Sequence, residues 1–312
     1  MSMKICIDPG HDRADYNRSP VVHEYCEGQR MWDLAGLLKA ELERRGLAVV
    51  MTKSKINQSV SLSARGRASK GCDLLLSLHS DAASGVAPNW VSALHQVDDH
   101  CGAMDEKSRE IGKLLATAVA SLMGVGVRMV ARESSSDRDG NGYKDDYYGV
   151  LRAAHAVGTP AVILEHGFHT NESCTRWLLD DGNLKRLAVA EADVIARWLM
   201  DQNKDAFRTF VRQLQGAIGA AVDGIPGPET IGKTPTLSAS KNFRHPAVKI
   251  VQQWLYNLGY TQVGKADGIA GRKFTVAVKA YQKEHGCVVD GEITARNKTW
   301  RCLLEMEQGV QP

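Results

Sequence analysis

The sequence predicts an α/β domain with helices on both faces of a sheet, followed by a smaller second domain. Short apolar runs typical of strands occur at residues 3–7, 47–52, 73–78, 90–94 and 160–164. Helical patterns lie between or after them, near residues 29–45, 60–70, 105–123 and 184–200. Runs that are apolar throughout suit strands covered on both faces. The length of 312 residues is comfortable for two domains.

The first helical segment carries an unusual acidic residue. Its apolar residues fall on one stripe: Met31, Leu34, Ala35, Leu38 and Leu42. The segment stops at Gly46. Extending the stripe backwards by four residues reaches Glu27, whose carboxylate should point the same way as the core-facing side chains. Burial of a carboxylate costs free energy unless the charge has a partner, and a cation would be such a partner.

Bulk composition excludes several classes of protein. Hydrophobic residues make up 43% of the chain, which excludes wholesale disorder. No apolar run approaches the 18 or so residues of a membrane span. The N-terminus lacks the charged leader, apolar stretch and cleavage site of a secretory signal, which predicts synthesis and folding in the cytoplasm. The seven cysteines are scattered without C-x-x-C spacing, which argues against a disulfide framework or a cysteine zinc cluster.

Charge is unevenly distributed between the two predicted domains. Residues 1–200 contain 24 basic and 26 acidic residues, whereas residues 201–312 contain 15 basic and 10 acidic residues. A mildly basic second domain suits a polyanionic surface such as a cell wall. The excess of basic residues in the second domain is too small and too dispersed to indicate nucleic-acid binding.

The second domain contains an internal repeat. A polar run beginning at Asp201 predicts a linker over residues 201–207, and the domain then occupies 208–312. A half-repeat at 208–232 and a fuller copy at 246–304 both carry an Asp-Gly pair, which occurs a third time at residues 290–291. The pairs are most simply structural, because Asp caps a turn and Gly supplies positive φ.

Three ionisable residues follow apolar runs of the first domain. His11, His79 and Glu165 each come at the end of a predicted strand, and ligands bind at the carboxyl ends of strands in open α/β sheets. With Glu27, the two histidines make the ligand set of one catalytic zinc ion. Glu165 would then lie beside the ion and outside its ligand set, where a general base for the attacking water belongs.

Four motifs resemble the zinc-dependent N-acetylmuramoyl-L-alanine amidases, a group that includes many autolysins and phage endolysins. They are Ile7–His11, Val60–Arg65, Asp73–Ala82 and Pro160–Asn171. The resemblance covers roughly residues 3–200, so a catalytic domain at 1–200 is expected. It implies a mixed sheet with helices on both faces. It also implies that the family's two zinc-binding histidines correspond to His11 and His79, and its catalytic glutamate to Glu165.

The family places the remaining ligand, a glutamate, just before the first long helix. An ungapped match through Leu34 and Gly46 selects Glu27, whereas Glu24 lies in a segment that resembles the local motif of some members. Glu27 is preferred, and Glu24 remains the alternative. His166 and His169 occupy positions where the family usually has non-ligands, so a substrate-facing or structural role is expected for both.

Residues 137–146 have the oxygen spacing and the glycine of a calcium loop. Asp137, Asp139 and Asn141 would supply the ligands. The twelfth position is Tyr148 rather than a glutamate, so the bidentate ligand is missing. A polar loop beside the cleft is therefore preferred, with a calcium site as the alternative.

The second domain, from about 246 to 304, resembles the small helical peptidoglycan-binding domain of wall hydrolases. Such a module raises the local enzyme concentration on an insoluble substrate. The sequence therefore predicts a hydrolase that cleaves the amide between N-acetylmuramic acid and L-alanine of peptidoglycan. The lack of a secretory signal favours a phage-type endolysin that reaches the wall after release. The alternatives are a zinc peptidase that cuts within the stem peptide and a non-catalytic wall-binding protein.

Overall fold

Six strands and ten α-helices form the part of the chain described by a computed structural model, namely residues 3–97, 102–138, 140 and 142–306. The strands are β1 (Lys4–Pro9), β2 (Ala48–Met51), β3 (Leu74–Asp81), β4 (Trp90–His95), β5 (Gly126–Ala131) and β6 (Ala161–Phe168). The helices are α1 (Glu27–Arg44), α2 (Leu62–Arg67), α3 (Ala103–Met123), α4 (Gly149–His155), α5 (Glu172–Leu179), α6 (Asp181–Ile218), α7 (Pro228–Gly232), α8 (Pro246–Asn257), α9 (Arg272–Glu284) and α10 (Lys298–Leu303). The chain divides into two compact units, Ser2–Met200 and Asp201–Pro312.

The strands of the first unit form one mixed sheet in the order β2-β1-β3-β6-β4-β5. Strand β4 is antiparallel to β6, and the other neighbouring strands are parallel. One face packs against α1, α3 and α6, and the other packs against α4. The predicted fold class, a mixed sheet with helices on both faces, is therefore confirmed.

The central strands carry alternating side chains into two different cores. Ile5 and Ile7 of β1 belong to the core under α1, α3 and α6, whereas Cys6 between them belongs to the core under α4. Burial on both faces is the reason why these strands are apolar throughout. Strand β5 was not predicted, because it is an edge strand whose residues are largely exposed and form no apolar run.

Residues 201–207, the predicted linker, are helical and belong to α6. The run contains no proline or glycine that would end a helix. Two ion pairs at i, i+3 spacing also favour the helix, Asp201 with Lys204 at 3.6 Å and Asp205 with Arg208 at 3.9 Å. The polar composition therefore marks an exposed stretch of helix.

Three equivalent glutamine contacts organise the second unit, one at each of the three Asp-Gly pairs. Each glutamine donates from Nε2 to an aspartate Oδ1 and accepts from the N–H of the next glycine. The three sets are Gln215 with Asp223 and Gly224, Gln252 with Asp267 and Gly268, and Gln282 with Asp290 and Gly291. The side-chain amides fix the turns, and all three glycines have positive φ.

The predicted half-repeat packs with the fuller copy around one core. Val211 and Ile231 belong to the same buried cluster as Phe274 and Trp300. The Trp300 Nε1 atom also donates to the carbonyl of Pro235 at 2.8 Å. The described part of the second unit is helical, as expected for a small wall-binding domain. No helix in the described ranges is both long and apolar enough to cross a membrane.

Candidate metal centre and active site

His11 lies two residues after the end of β1 and has a left-handed backbone conformation, with φ of 62°. The preceding Gly10 donates its N–H to the carbonyl of Leu78 on β3 at 2.9 Å. A Cβ atom at Gly10 would lie 2.6 Å from Cε1 of the His79 ring, so only glycine lets the two segments approach this closely. The His11 and His79 rings consequently lie edge to face, with centroids 4.9 Å apart.

Glu27 is the first residue of α1, and its side chain is buried between the two histidines. Its Oε1 atom lies 2.8 Å from Nε2 of His11 and 3.0 Å from Nδ1 of His79. The N–H of Ser80 also donates to Oε1, and the Asn17 side chain donates to Oε2. Burial alone would raise the pKa of Glu27, but the hydrogen bonds to His11 and His79 outweigh it and hold the pKa well below its usual range.

These contacts bring three metal-ligating side chains together. One donor atom each of His11, Glu27 and His79 lies within 4.8 Å of the other two, so the group could hold a metal ion. Glu24, the sequence alternative, is exposed and lies outside this group. The geometry therefore brings Glu27, and not Glu24, to the two histidines.

The other nitrogen of His79 belongs to a buried chain of hydrogen bonds. Ser77 Oγ donates to Asp8 Oδ2 at 2.7 Å, so it accepts from His79 Nε2 at 3.1 Å. Thr52 donates to the other oxygen of Asp8 at 2.5 Å, and the Arg65 guanidinium lies 3.6 Å from that oxygen. The sequence prediction missed Asp8 and Ser77, although both lie inside the quoted motifs, within three residues of a predicted ligand.

Glu165 pairs in register with His79 on the neighbouring strands β6 and β3, so both side chains point to the same side of the sheet. Both residues line a cavity of about 550 Å³ together with His11 and Tyr148. Desolvation raises the pKa of Glu165 to about 8 against the opposing effect of His79. Its Oε2 atom is buried and has no hydrogen-bond partner among the described residues.

His166 and His169 are both buried, and their contacts are structural. Nδ1 of His166 donates to the carbonyl of His79 at 2.9 Å, and Nε2 lies 2.8 Å from the buried Glu191 carboxylate of α6. Desolvation opposes a charge on this ring, but Glu191 raises the pKa of His166. His169 Nδ1 lies 3.0 Å from the carbonyl of Ser80. Of the two expected roles, substrate-facing or structural, the structural one fits.

In the loop that resembles a calcium site, the first acidic side chain, Asp137, is hydrogen-bonded to the backbone of the same loop. The two carboxylate oxygens of Asp137 accept hydrogen bonds from the N–H groups of Gly140 and Gly142, at 2.7 and 3.0 Å. Asp139 and Asn141 lie outside the described residues. The contacts of Asp137 are those of a polar turn, and the calcium site stays a prediction.

Comparison with known families identifies the first unit. Residues 5–197, more than half of the chain, match the family model described as N-acetylmuramoyl-L-alanine amidase. The chain belongs to the N-acetylmuramoyl-L-alanine amidase family. The resemblance predicted from the four motifs is thus confirmed, together with an amidase activity on peptidoglycan. Residues 244–303 match a peptidoglycan binding domain, so the amidase carries the predicted C-terminal wall-binding module.

Solved structures with a similar fold include two amidases. The catalytic domain of the amidase CwlV from Bacillus (Paenibacillus) polymyxa is 21% identical, with a TM-score of 0.51 over 63% of this chain and 98% of that one. An amidase from Clostridium difficile 630 is 19% identical, with a TM-score of 0.52 over 64% and 97% of the chains.

Cwp6 from Clostridium difficile, 20% identical with a TM-score of 0.53, is a longer protein. The match covers 64% of this chain but 30% of that one. Identities this low establish a shared fold alone. No curated protein matches the chain.

Proposed function

We propose that the amidase is zinc-dependent, with His11, Glu27 and His79 as the protein ligands of one zinc ion. Two imidazoles and one carboxylate are a donor set of catalytic zinc sites. The clustering of their donor atoms within 4.8 Å is the observation that carries the proposal. When bound, zinc supplies a Lewis acid that polarises the scissile carbonyl and lowers the pKa of the attacking water.

Glu165 is proposed as the group that moves protons during hydrolysis. Desolvation in the cleft raises the pKa of this carboxyl group, so it holds a transferred proton more readily than an exposed glutamate does. Its side chain borders the same cavity as the two histidines, where the attacking water and the scissile amide would be held. Glu165 takes a proton from the water and then gives it to the amine of L-alanine as that amine leaves.

The two units have different proposed roles, catalysis and binding to an insoluble substrate. We propose residues 1–200 as the catalytic domain and residues 208–312 as the wall-binding domain, which raises the local concentration of enzyme on peptidoglycan. The match of residues 244–303 to a peptidoglycan binding domain supports this division. The assignment to phage-type endolysins stays a prediction from the sequence.

Digestion of purified peptidoglycan tests the bond that is cleaved. We expect glycan chains with free muramic acid and intact stem peptides that begin with L-alanine, both identified by mass spectrometry. A chelator should abolish the release, and added zinc should restore it. Fragments that begin within the stem would support a peptidase instead. Binding to the wall without any release would support the non-catalytic alternative.

Replacement of Ser77 by alanine tests the hydrogen-bond chain behind His79. The Ser77→Ala variant removes the acceptor that holds His79 Nε2, so the ring loses its fixed orientation. Loss of such an outer contact typically weakens metal binding, and we expect zinc affinity to fall about tenfold. Competition with a chromogenic chelator measures the affinity.

Ser69→Ala is the matched control, because Ser69 is also buried but donates to the carbonyl of Gly66 in α2. Its zinc affinity should equal that of the wild type. Equal affinities for Ser77→Ala and the wild type would contradict a role of Ser77 in orienting His79.

A further inference from the structure

A second cavity adjoins the one that contains His79 and Glu165. Its volume is about 320 Å³, and three arginines are among its lining residues: Arg67, Arg138 and Arg152. Leu62 and Gly149 line both cavities, so the two spaces are neighbours on either side of the first residues of α2 and α4. A ligand that extends from the first cavity over the exposed Leu62 side chain reaches the arginines.

Close packing of two short helices places these arginines around one cavity. A Cβ atom at Gly66 of α2 would lie 2.5 Å from the Ala153 Cβ atom of α4, so the glycine permits this approach. Arg67 is the last residue of α2, and Arg152 lies on the final turn of α4. Both face the same space although they are far apart in the sequence.

The cavity has an excess of positive charge. Among the described residues that line it, Asp145 is the one acidic side chain, and its carboxylate is already used by Arg138. Asp145 Oδ1 accepts from the backbone N–H of Arg138 at 2.9 Å, and Oδ2 lies 3.6 Å from Arg138 Nε. The loop therefore neutralises one arginine and leaves the charge of the other two.

Arg67 and Arg152 retain N–H donors for a ligand. Arg152 donates one hydrogen bond, from Nη1 to the carbonyl of Asp146 at 2.7 Å. The Arg67 guanidinium makes neither an ion pair nor a hydrogen bond with any residue in the described ranges. The planar guanidinium group of arginine matches the two oxygens of a carboxylate better than a lysine ammonium does.

We infer that the arginine cavity is a subsite for a free carboxylate of the stem peptide. The inference rests on the proposed function, in which the amide on L-alanine is cleaved beside Glu165. A peptide ends in a free carboxylate, and any acidic residues in it carry further ones. A stem that leaves the reacting position toward Leu62 and Gly149 brings one of them to Arg67 and Arg152. The subsite thus selects substrates by the charge of the peptide.

Two soluble substrates test the subsite: an N-acetylmuramoyl tripeptide with free carboxylates, and the same compound with its carboxylates amidated. We expect the wild-type enzyme to have a lower KM for the free acid. The Arg67→Gln and Arg152→Gln variants should each raise that KM about fivefold, the scale of a partly exposed ion pair. Their kcat values and their KM for the amidated compound should stay near those of the wild type.

Arg109→Gln is the matched control, since Arg109 is an exposed arginine of α3 that lines neither cavity. Equal KM values of the wild type for the two compounds would overturn the subsite and leave the proposed function intact. A preference for the free acid that persists in both Arg67→Gln and Arg152→Gln would also overturn it. If neither compound is cleaved, the proposed function fails, and the subsite fails with it.

Discussion

The Glu165→Gln variant is expected to fold, to bind zinc and to lose about a thousandfold in kcat, the usual scale of a lost general base. An amide of the same shape cannot take the proton of the attacking water. Folding should be preserved, because desolvation in the cleft already disfavours the charged form of Glu165. Release of stem peptides, zinc content and thermal unfolding are the three measurements.

Glu172→Gln serves as the control, because Glu172 is exposed on the first turn of α5 and pairs only with Arg176 among the described residues. It should match the wild type in all three measurements. Substantial activity of Glu165→Gln would contradict the proposed proton transfer. Loss of zinc together with activity would instead point to a role of Glu165 in holding the metal.

The Glu27→Gln variant is expected to lose both zinc and activity, each by more than about a hundredfold, since even outer-shell changes cost ten- to a hundredfold. The substitution removes the negative charge that both histidines face at 2.8 and 3.0 Å. Zinc per chain after dialysis and the rate of peptide release measure the two effects.

Glu24→Gln is the matched control, since Glu24 lies three residues away and is exposed. We expect wild-type zinc content and activity for this variant. The opposite outcome, with zinc lost from Glu24→Gln and retained in Glu27→Gln, would reverse the choice between the two glutamates.

The sequence predicts much of this site because its residues occupy regular local positions. His79 and Glu165 belong to predicted strands and to specific motifs, so their neighbouring positions in the sheet follow from the fold class. Glu27 was preferred over Glu24 on the stripe of one helix, and burial places it among the core-facing residues of α1. The mixed order of the sheet came from the family resemblance, because periodicity does not specify which strands pair.

Other features depend on contacts that no local pattern encodes. The hydrogen bonds that connect Asp8, Ser77 and His79 join two strands. Neither strand's sequence therefore reveals them by itself. Polar composition at residues 201–207 predicted a linker. Whether these residues form a helix depends on the absence of proline and glycine and on ion pairs between side chains. The exposed edge strand β5 has no apolar run that would reveal it.

The sequence by itself determined the fold class, the family and the residue types available for the metal, since apolar periodicity and short motifs are local properties. Only the tertiary structure decided how these residues meet. It set Glu27 against both histidines and brought Arg67 and Arg152 to one cavity. The reason is physical: distances between side chains on different elements depend on how helices and strands pack, and close packing depends on points such as Gly10 and Gly66.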